Sequence, residues 1–119
     1  MKKILVVDDA KFMRNILRQI FEATDYEVVE ASTADEGLSQ YKKEKPDIVT
    51  MDICMPKKSG IEAIKEIMAV DKGARILVCS ALGQELMVME AVKAGAKDFI
   101  IKPFKKEQIL ETLDKVIES

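Results

Sequence analysis

The 119-residue chain contains no histidine and only two cysteines, Cys54 and Cys79. The missing histidine excludes a histidine-based catalytic triad, an imidazole metal site and a phosphohistidine within this chain. Any histidine that takes part in phosphate chemistry here would therefore belong to a partner. The cysteines lack the C-x-x-C spacing of zinc and dithiol redox sites. Because both lie in apolar stretches, we expect two buried, reduced thiols.

The chain also lacks an excess of charge of one sign, a long apolar run and a signal-peptide pattern. Its 19 Lys and Arg residues oppose 21 Asp and Glu, for a net charge of −2, whereas a dedicated nucleic-acid binder shows a basic face or tail. No apolar run approaches the roughly 20 residues that span a membrane. These features, with 48% hydrophobic and 34% charged residues, predict a cytoplasmic, one-domain protein that binds neither nucleic acid nor membrane.

Five apolar, strand-like runs alternate with amphipathic stretches along the chain. Four runs are nearly continuous in apolar residues, as strands covered on both faces are, while Glu27 and Glu30 make the second run suitable for an edge strand. The alternation predicts a (βα)₅, doubly wound α/β domain with one five-stranded parallel sheet and helices on both faces. The predicted strands are 3–8, 26–31, 47–52, 75–80 and 98–102, and the predicted helices include 13–21, 34–43, 60–68 and 109–117.

Polar residues stand at the ends of four of these runs. Asp8 and Asp9 end the first run, Asp52 the third, Ser80 the fourth and Lys102 the fifth. The carboxyl ends of parallel strands meet at one edge of the sheet, where open α/β sheets bind ligands. Each residue singly has a structural explanation, such as a helix N-cap. Three carboxylates at one edge, however, would raise one another's pKa unless a cation neutralised them, so we interpret them as a functional cluster.

The residue types in this cluster suit phosphoryl transfer to a carboxylate. All-oxygen ligands at a partly open site favour a hard divalent ion, most simply Mg²⁺. Such an ion cancels repulsion between a phosphoryl group and a carboxylate, while Lys102 and Ser80 could hold the phosphoryl oxygens. Asp52 is the central carboxylate and hence the candidate nucleophile for an aspartyl phosphate.

Four motifs stand out along the chain: "VVDDA", "TMDICMPKKSG", "CSALG" and "DFIIKPF". Together they resemble the receiver domain of two-component response regulators, and the resemblance covers the whole chain. A further stretch, "DDAKFMR", is most similar to stand-alone chemotaxis regulators of the CheY type. The resemblance implies a single receiver domain over residues 1–119 with no effector domain. It also implies the flavodoxin-like strand order 2-1-3-4-5 for which this type is known.

The resemblance further implies how the acidic cluster works. Asp52 would be the phosphorylated residue. Asp9 and Asp52 would bind Mg²⁺ directly and Asp8 through a water molecule, with the backbone carbonyl of Cys54 completing the protein ligands. The domain would catalyse its own phosphorylation and dephosphorylation through Asp52, Ser80 and Lys102, and would not be an enzyme acting on other substrates.

A conformational switch is the second implication of the resemblance. Lys102 would pair with the phosphoryl group and precede a cis peptide bond to Pro103, and the Ser80 hydroxyl would move to a phosphoryl oxygen. Phe99, at the aromatic switch position, would then turn inward and alter the face formed by helix four, strand five and helix five. The implied partners of this monomer are a histidine kinase, an output protein such as the flagellar motor switch, and a phosphatase.

The fourth helix leaves two interpretations open. Met87, Ala91 and Ala94 share one face, whereas Leu86 and Met89 project away from it. The first interpretation is a broad buried surface or scattered exposed apolar residues. The second is an exposed apolar patch that binds a partner.

Three other functions compete with this interpretation. A flavodoxin-like electron carrier shares the fold, but "DDAKF" after the first strand would repel the phosphate of FMN. A metal-dependent phosphatase similar to the haloacid dehalogenases would form an aspartyl phosphate, but it carries D-x-D on its first strand, whereas these aspartates are adjacent. A phosphorelay intermediate, which passes phosphate to another protein's histidine, is the alternative within the receiver class.

Overall fold

A computed structural model describes residues 2–118 of the chain. Five parallel strands form one sheet in the order β2-β1-β3-β4-β5, and they alternate with five helices. The predicted (βα)₅ architecture and the strand order that the resemblance implied are both confirmed. The strands are β1 (Lys2–Val7), β2 (Tyr26–Ala31), β3 (Ile48–Asp52), β4 (Ile76–Ser80) and β5 (Asp98–Ile101), and the helices are α1 (Lys11–Glu22), α2 (Ala34–Glu44), α3 (Gly60–Val70), α4 (Glu85–Ala94) and α5 (Lys106–Ile117).

Two apolar layers, one on each face of the sheet, form the core. Along β1, Leu5 and Val7 pack with α2, α3 and α4, whereas Ile4 and Val6 pack with α1 and α5. Successive side chains of a strand point to opposite faces, so a central strand covered on both faces has to be apolar at nearly every position. This requirement explains the continuous apolar runs that predicted the central strands.

The second strand lies at an edge of the sheet, as its glutamates predicted. Glu30 is only partly buried, and it accepts hydrogen bonds from Arg14 Nε at 2.8 Å and Arg18 Nε at 2.7 Å, both on α1. Its polar side chain is thus used to attach α1 to the sheet edge, where an apolar residue would be exposed.

The weakly amphipathic segment 34–43 does form a helix, α2, which ends at Glu44. Thr33 caps it by accepting a hydrogen bond from the Glu36 N–H at 3.0 Å. Gly37 faces β1, where an added Cβ would lie 3.1 Å from a methyl carbon of Val7. The glycine that weakens the helical pattern therefore permits close helix–sheet packing.

Within the part of the chain that the structure describes, each helix is too short or too polar to cross a membrane.

Candidate functional site

The carboxyl edge of the sheet brings together the acidic residues and the lysine that the sequence placed there. Lys102 Nζ lies 3.2 Å from Asp52 Oδ1 and 3.4 Å from Asp8 Oδ2, although 94 positions separate Asp8 from Lys102. Carboxylate oxygens of Asp8, Asp9 and Asp52 all lie within 4.8 Å of one another. The predicted clustering of these four residues is therefore confirmed.

Asp8 is held in place by hydrogen bonds from α1 and the turn before it. The Ala10 N–H donates to Asp8 Oδ1 at 2.8 Å, and Arg14 Nη1 donates to the Asp8 carbonyl oxygen at 2.6 Å. Arg14 is itself held by Glu30. The sequence analysis did not identify Arg14. Its only sequence signal is its position on the polar side of α1, one turn after the adjacent aspartates.

Asp52 is the last residue of β3, a strand in which every residue is buried. The backbone just beyond it is fixed on two sides, because the Ile53 N–H donates to the Cys79 carbonyl at 3.1 Å and the Gly60 N–H donates to the Ile53 carbonyl at 2.8 Å. Asp52 is only 6% exposed. A strand end held this rigidly keeps a carboxylate at the sheet edge without letting it turn into solvent.

The pKa values at the site reflect three carboxylates that share one nearby ammonium group. Burial raises the pKa of Asp52 to about 6, the Asp8 carboxylate adds to the rise, and Lys102 opposes it. Burial alone would lower the pKa of Lys102, but the Asp52 and Asp8 charges outweigh it and leave that pKa raised. Lys102 thus remains protonated, and it only partly neutralises the carboxylates around it.

This set of donors fits a hard divalent cation. The three clustered side chains offer oxygen atoms only, and two of them, Asp8 and Asp52, are buried with their charges incompletely balanced. Asp9 is exposed, so the cluster is open to solvent on one side. Carboxylates at a partly open site are the ligands that Mg²⁺ prefers in proteins.

The expectation that both thiols are buried is wrong for Cys54. Cys79 is buried in β4, but Cys54 is exposed. Cys54 lies in the loop beyond β3, where its neighbour Ile53 takes the buried position. Instead of packing in the core, the Cys54 thiol accepts a hydrogen bond from Gln84 Nε2 at 2.9 Å. The sequence analysis did not identify Gln84, since a lone polar residue before a helix gives no specific signal.

Ser80 and Phe99 both line a small cavity between α4 and β5. Ser80 is buried at the end of β4, and its carbonyl accepts a hydrogen bond from the Lys102 N–H at 2.7 Å. The Phe99 side chain is 42% exposed. The cavity has a volume of about 240 Å³ and is lined by Ser80, Ala81, Glu85, Val88, Met89, Phe99 and Ile101. The Lys102–Pro103 peptide bond is cis, as the resemblance implied.

Helix α4 has a buried face and an exposed apolar face. Ala91 is fully buried and Met87 packs against the core, whereas Leu86 is 76% exposed and Met89 is 55% exposed. A broad buried surface is therefore wrong for α4, whereas scattered exposed apolar residues and a partner-binding patch both stay predictions. We refer to the exposed side chains of Leu86, Met89 and Phe99 of β5 together as the α4–β5 patch.

Comparison with known proteins agrees with this geometry. Residues 4–114 match the response regulator receiver domain. The chain belongs to this family. Its relatives include the chemotaxis protein CheY of Thermotoga maritima, which is 57% identical over 97% of this chain and 97% of that protein. CheY of Bacillus subtilis is 49% identical over the same shares of the two chains.

Two further relatives bear on the site and on the alternatives. The crystal structure of the CheX–CheY–BeF3–Mg²⁺ complex from Borrelia burgdorferi is similar with a TM-score of 0.91 and 38% identity, covering 97% of this chain and 88% of that one. Sporulation initiation phosphotransferase F of Bacillus subtilis is 31% identical over 98% of this chain and 94% of that protein. The receiver family thus includes relatives named for chemotaxis and a relative named for phosphotransfer.

Proposed function

We propose that this protein is a phosphorylation-activated signalling switch in which Asp52 accepts a phosphoryl group from a histidine kinase. The observation that carries the proposal is the buried Asp52 carboxylate, held between Asp8 and Lys102 at the carboxyl edge of the sheet. An Asp52 carboxylate oxygen forms a bond to phosphorus as the phosphorus–nitrogen bond of the donor's phosphohistidine breaks. The electron pair leaves with the imidazole nitrogen, which then takes a proton from water.

Asp52 is prepared for this attack by its surroundings. With a pKa of about 6, it is mostly ionised near neutral pH and so carries the lone pair that attacks phosphorus. Lys102 faces the attacking oxygen and is placed to balance charge on the phosphoryl group. The buried carboxylates of Asp8 and Asp52 and the ammonium group of Lys102 beside them would therefore orient the reaction.

Asp9 and Asp52 would bind Mg²⁺ directly, Asp8 would bind it through water, and the backbone carbonyl of Cys54 would complete the protein ligands. When bound, Mg²⁺ supplies positive charge that offsets the repulsion between these carboxylates and an incoming phosphoryl group. The proposal for a metal rests on the 4.8 Å clustering of three carboxylates that Lys102 alone does not neutralise.

Phosphorylation adds roughly −1.5 to −2 charges at Asp52, and these charges attract the Ser80 hydroxyl and Lys102. As Ser80 moves towards Asp52, the loop after β4 follows it, and the cavity beside Ser80 receives the Phe99 ring. Phe99 belongs to the α4–β5 patch, so its inward turn changes the surface that a partner contacts. The phosphoryl group shifts the population towards this active arrangement only to the extent that it binds the active arrangement more tightly than the inactive one.

The output partner would bind the face formed by α4, β5 and α5. Leu86 and Met89 supply exposed apolar area there, and Lys105 and Lys106 at the start of α5 are exposed as well. Because the relatives with the highest identities given above are chemotaxis proteins, we propose an output protein of chemotaxis, such as the flagellar motor switch. A separate phosphatase would then end the signal.

A phosphorelay intermediate is the second candidate function, favoured by the 31% identity to sporulation initiation phosphotransferase F. Both functions begin with the same aspartyl phosphate. They differ in the fate of the phosphoryl group, since a relay protein passes it to a partner histidine and an output switch retains it while bound. Phosphate transfer from labelled protein to a histidine-containing partner would favour the relay.

The decisive experiment is labelling by acetyl phosphate, a small phosphodonor, with and without Mg²⁺. We expect labelling of the wild type with Mg²⁺ and none in Asp52→Asn, because the amide is not a nucleophile here. Asp47→Asn, at the opposite edge of the sheet, is the matched control and should be labelled like the wild type. Equal labelling of Asp52→Asn, or no labelling of the wild type with Mg²⁺, would contradict the proposal.

A further inference from the structure

The side chain of Gln84 connects the two loops that border the phosphorylation site. Its amide nitrogen, Nε2, donates to Cys54 Sγ at 2.9 Å, in the loop two residues after Asp52. Its amide oxygen, Oε1, accepts a hydrogen bond from the Ala81 N–H at 2.7 Å, in the loop directly after Ser80. One amide group thus uses both its donor and its acceptor to link the ends of β3 and β4.

This arrangement is not ordinary helix capping. Gln84 occupies the N-cap position of α4, but its side chain makes no capping hydrogen bond to the first turn of that helix. By contrast, Ser59 at the same position of α3 accepts a hydrogen bond from the Glu62 N–H at 3.3 Å. The Gln84 side chain instead turns back from α4 across the site.

The Ala81 end of the bridge lies where the switch has to move. Ala81 lines the cavity between Ser80 and Phe99, and it is bonded directly to Ser80 in the chain. Any movement of Ser80 towards Asp52 therefore carries the Ala81 N–H with it. While that N–H is bound to Gln84 Oε1, the loop is held to its present position.

We propose that Gln84 is a positioning residue that latches the loop after β4 to the loop after β3 in the unphosphorylated protein, and that phosphorylation opens this latch. The inference rests on the proposed phosphorylation of Asp52. A phosphoryl group offers charged oxygens, and hydrogen bonds to charged acceptors are stronger than those to a neutral amide oxygen. The Ala81 N–H therefore gains by leaving Gln84, and the Cys54 thiol is released at the same time.

The latch stabilises the inactive arrangement, so its loss should favour the active one. A neutral hydrogen bond at a partly exposed site shifts an equilibrium by roughly two- to tenfold. Gln84→Met has almost the length of glutamine but neither polar arm, and it should make activation easier by this factor. Gln84→Ala removes the same hydrogen bonds and the side-chain volume as well.

Cys54 supplies a direct readout of the latch that does not depend on activity. The rate at which a colorimetric thiol reagent modifies the protein reports on Cys54, because Cys79 is buried and its burial raises the pKa of its thiol to about 12. In protein without phosphate or metal, we expect Gln84→Met and Gln84→Ala to react roughly two to ten times faster than the wild type. Gln19→Ala, an exposed glutamine of α1, should react like the wild type.

The second measurement is the concentration of beryllium fluoride, with Mg²⁺, that half-saturates each protein. Beryllium fluoride stands in for the phosphoryl group, and both Gln84 variants should need roughly two to ten times less of it. It should also accelerate Cys54 modification in the wild type more than in the variants, in which the latch is already open.

Each outcome decides one part of the inference. Variants that match the wild type in Cys54 reactivity and in beryllium fluoride binding would overturn the latch, as would Gln84→Met behaving like wild type while Gln84→Ala does not. If the wild type failed to bind beryllium fluoride or to be labelled by acetyl phosphate, the proposed function would fail. The Cys54 rates in the unliganded protein would still test the bridge by themselves.

Discussion

The two edges of the sheet both carry acidic residues, yet the pKa of Asp52 at one edge moves in the opposite direction from the pKa values of Asp71 and Glu44 at the other. At the amino edge, a hydrogen bond from Tyr41 Oη at 2.7 Å lowers the pKa of Asp71, and one from Lys3 Nζ at 2.9 Å lowers the pKa of Glu44. At the carboxyl edge, burial raises the pKa of Asp52 to about 6. The amino edge gives each of these acids its own donor, whereas the carboxyl edge crowds three acids around one lysine.

This difference separates the part of the molecule that stabilises the fold from the part that binds and reacts. The Asp71 and Glu44 carboxylates at the amino edge each have a hydrogen-bond donor, so they have less to gain from a cation than the crowded carboxylates have. The crowded carboxylates of the carboxyl edge lower the stability of the isolated protein, and a ligand that neutralises them recovers that loss on binding. Proteins commonly accept lower stability at a functional site for this reason.

The largest change in the free energy of unfolding should come from a substitution of Gly60, the first residue of α3. A Cβ at this position would lie 2.1 Å from the Asp52 carbonyl oxygen, a backbone atom that is held by the sheet. Gly60→Ala must therefore push α3 or the end of β3 aside, and we expect a loss of about 3 kcal/mol or more in the free energy of unfolding. Urea denaturation measures this change directly.

The control for this substitution is Gly73→Ala, in the turn before β4 at the amino edge. There the nearest atom to an added Cβ is Asp71 Oδ1 at 3.4 Å, which is an ordinary contact distance at an exposed position. We expect a change within about 0.5 kcal/mol. Equal losses from the two substitutions would show that close packing at the start of α3 is not what fixes the end of β3.

Asp52→Asn should stabilise the protein near neutral pH in the absence of Mg²⁺. The native pKa of about 6 lies above the ordinary value of 3.8, so the folded state binds the proton more tightly than the unfolded state does. The ionised carboxylate therefore costs stability above pH 6, and the neutral amide removes this cost. We expect a gain of about 2 kcal/mol in the free energy of unfolding at about pH 8.

The pH dependence of this gain provides its own check. As the pH rises from 3.8 to about 6, the wild type loses the contribution of the protonated Asp52 side chain, while the amide that replaces it in the variant does not titrate. The gain should thus be complete above this window and absent below it. A gain that is independent of pH would mean that packing, and not charge, causes it.

Magnesium should reverse part of the electrostatic cost at the carboxyl edge. At a Mg²⁺ concentration about ten times the dissociation constant, the wild type should gain about 1.4 kcal/mol, seen as a rise in Tm. Asp9→Asn should lose most of this rise, because it removes an exposed member of the cluster without disturbing the core. Asp47→Asn at the amino edge should keep it. A similar Tm rise in both variants would argue against a shared cation.

Most of the fold and the centre of the site could be predicted from the sequence, because both depend on where the strands end. Strand β3 is buried on both faces, so its apolar run stops where the sheet stops, and the polar residue at that point is Asp52. Parallel strands end at the same edge, which brings Asp8 and Lys102 to Asp52 without any knowledge of loop structure. Each predicted strand boundary accordingly lies within one residue of the observed one.

The loops and the exposed surface could not be predicted in this way. Whether Cys54 is buried depends on how the chain leaves β3, and no repeating pattern of side chains describes a loop. Gln84 contacts a residue 30 positions away, and a single amide can serve as a cap, a surface residue or a bridge. The spacing in α4 separated Leu86 and Met89 from the buried face, but spacing does not show that no other element covers them.

The smallest change in the free energy of unfolding should come from Tyr41→Phe, which tests the amino edge alone. Tyr41 is a buried residue of α2, and its hydroxyl donates to Asp71, which follows the last residue of α3. Phenylalanine keeps the ring and removes one hydrogen bond to an exposed carboxylate, so we expect a loss of about 1 kcal/mol at neutral pH. The loss should shrink in acid, because the hydrogen bond lowers the pKa of Asp71 and protonation of Asp71 weakens that hydrogen bond.

Because Tyr41 lies at the edge opposite Asp52, the Tm rise caused by Mg²⁺ should be unchanged in this variant. A smaller Tm rise with Mg²⁺ would show that the two edges are energetically coupled. The acids of the amino edge would then contribute to the metal affinity of the carboxyl edge.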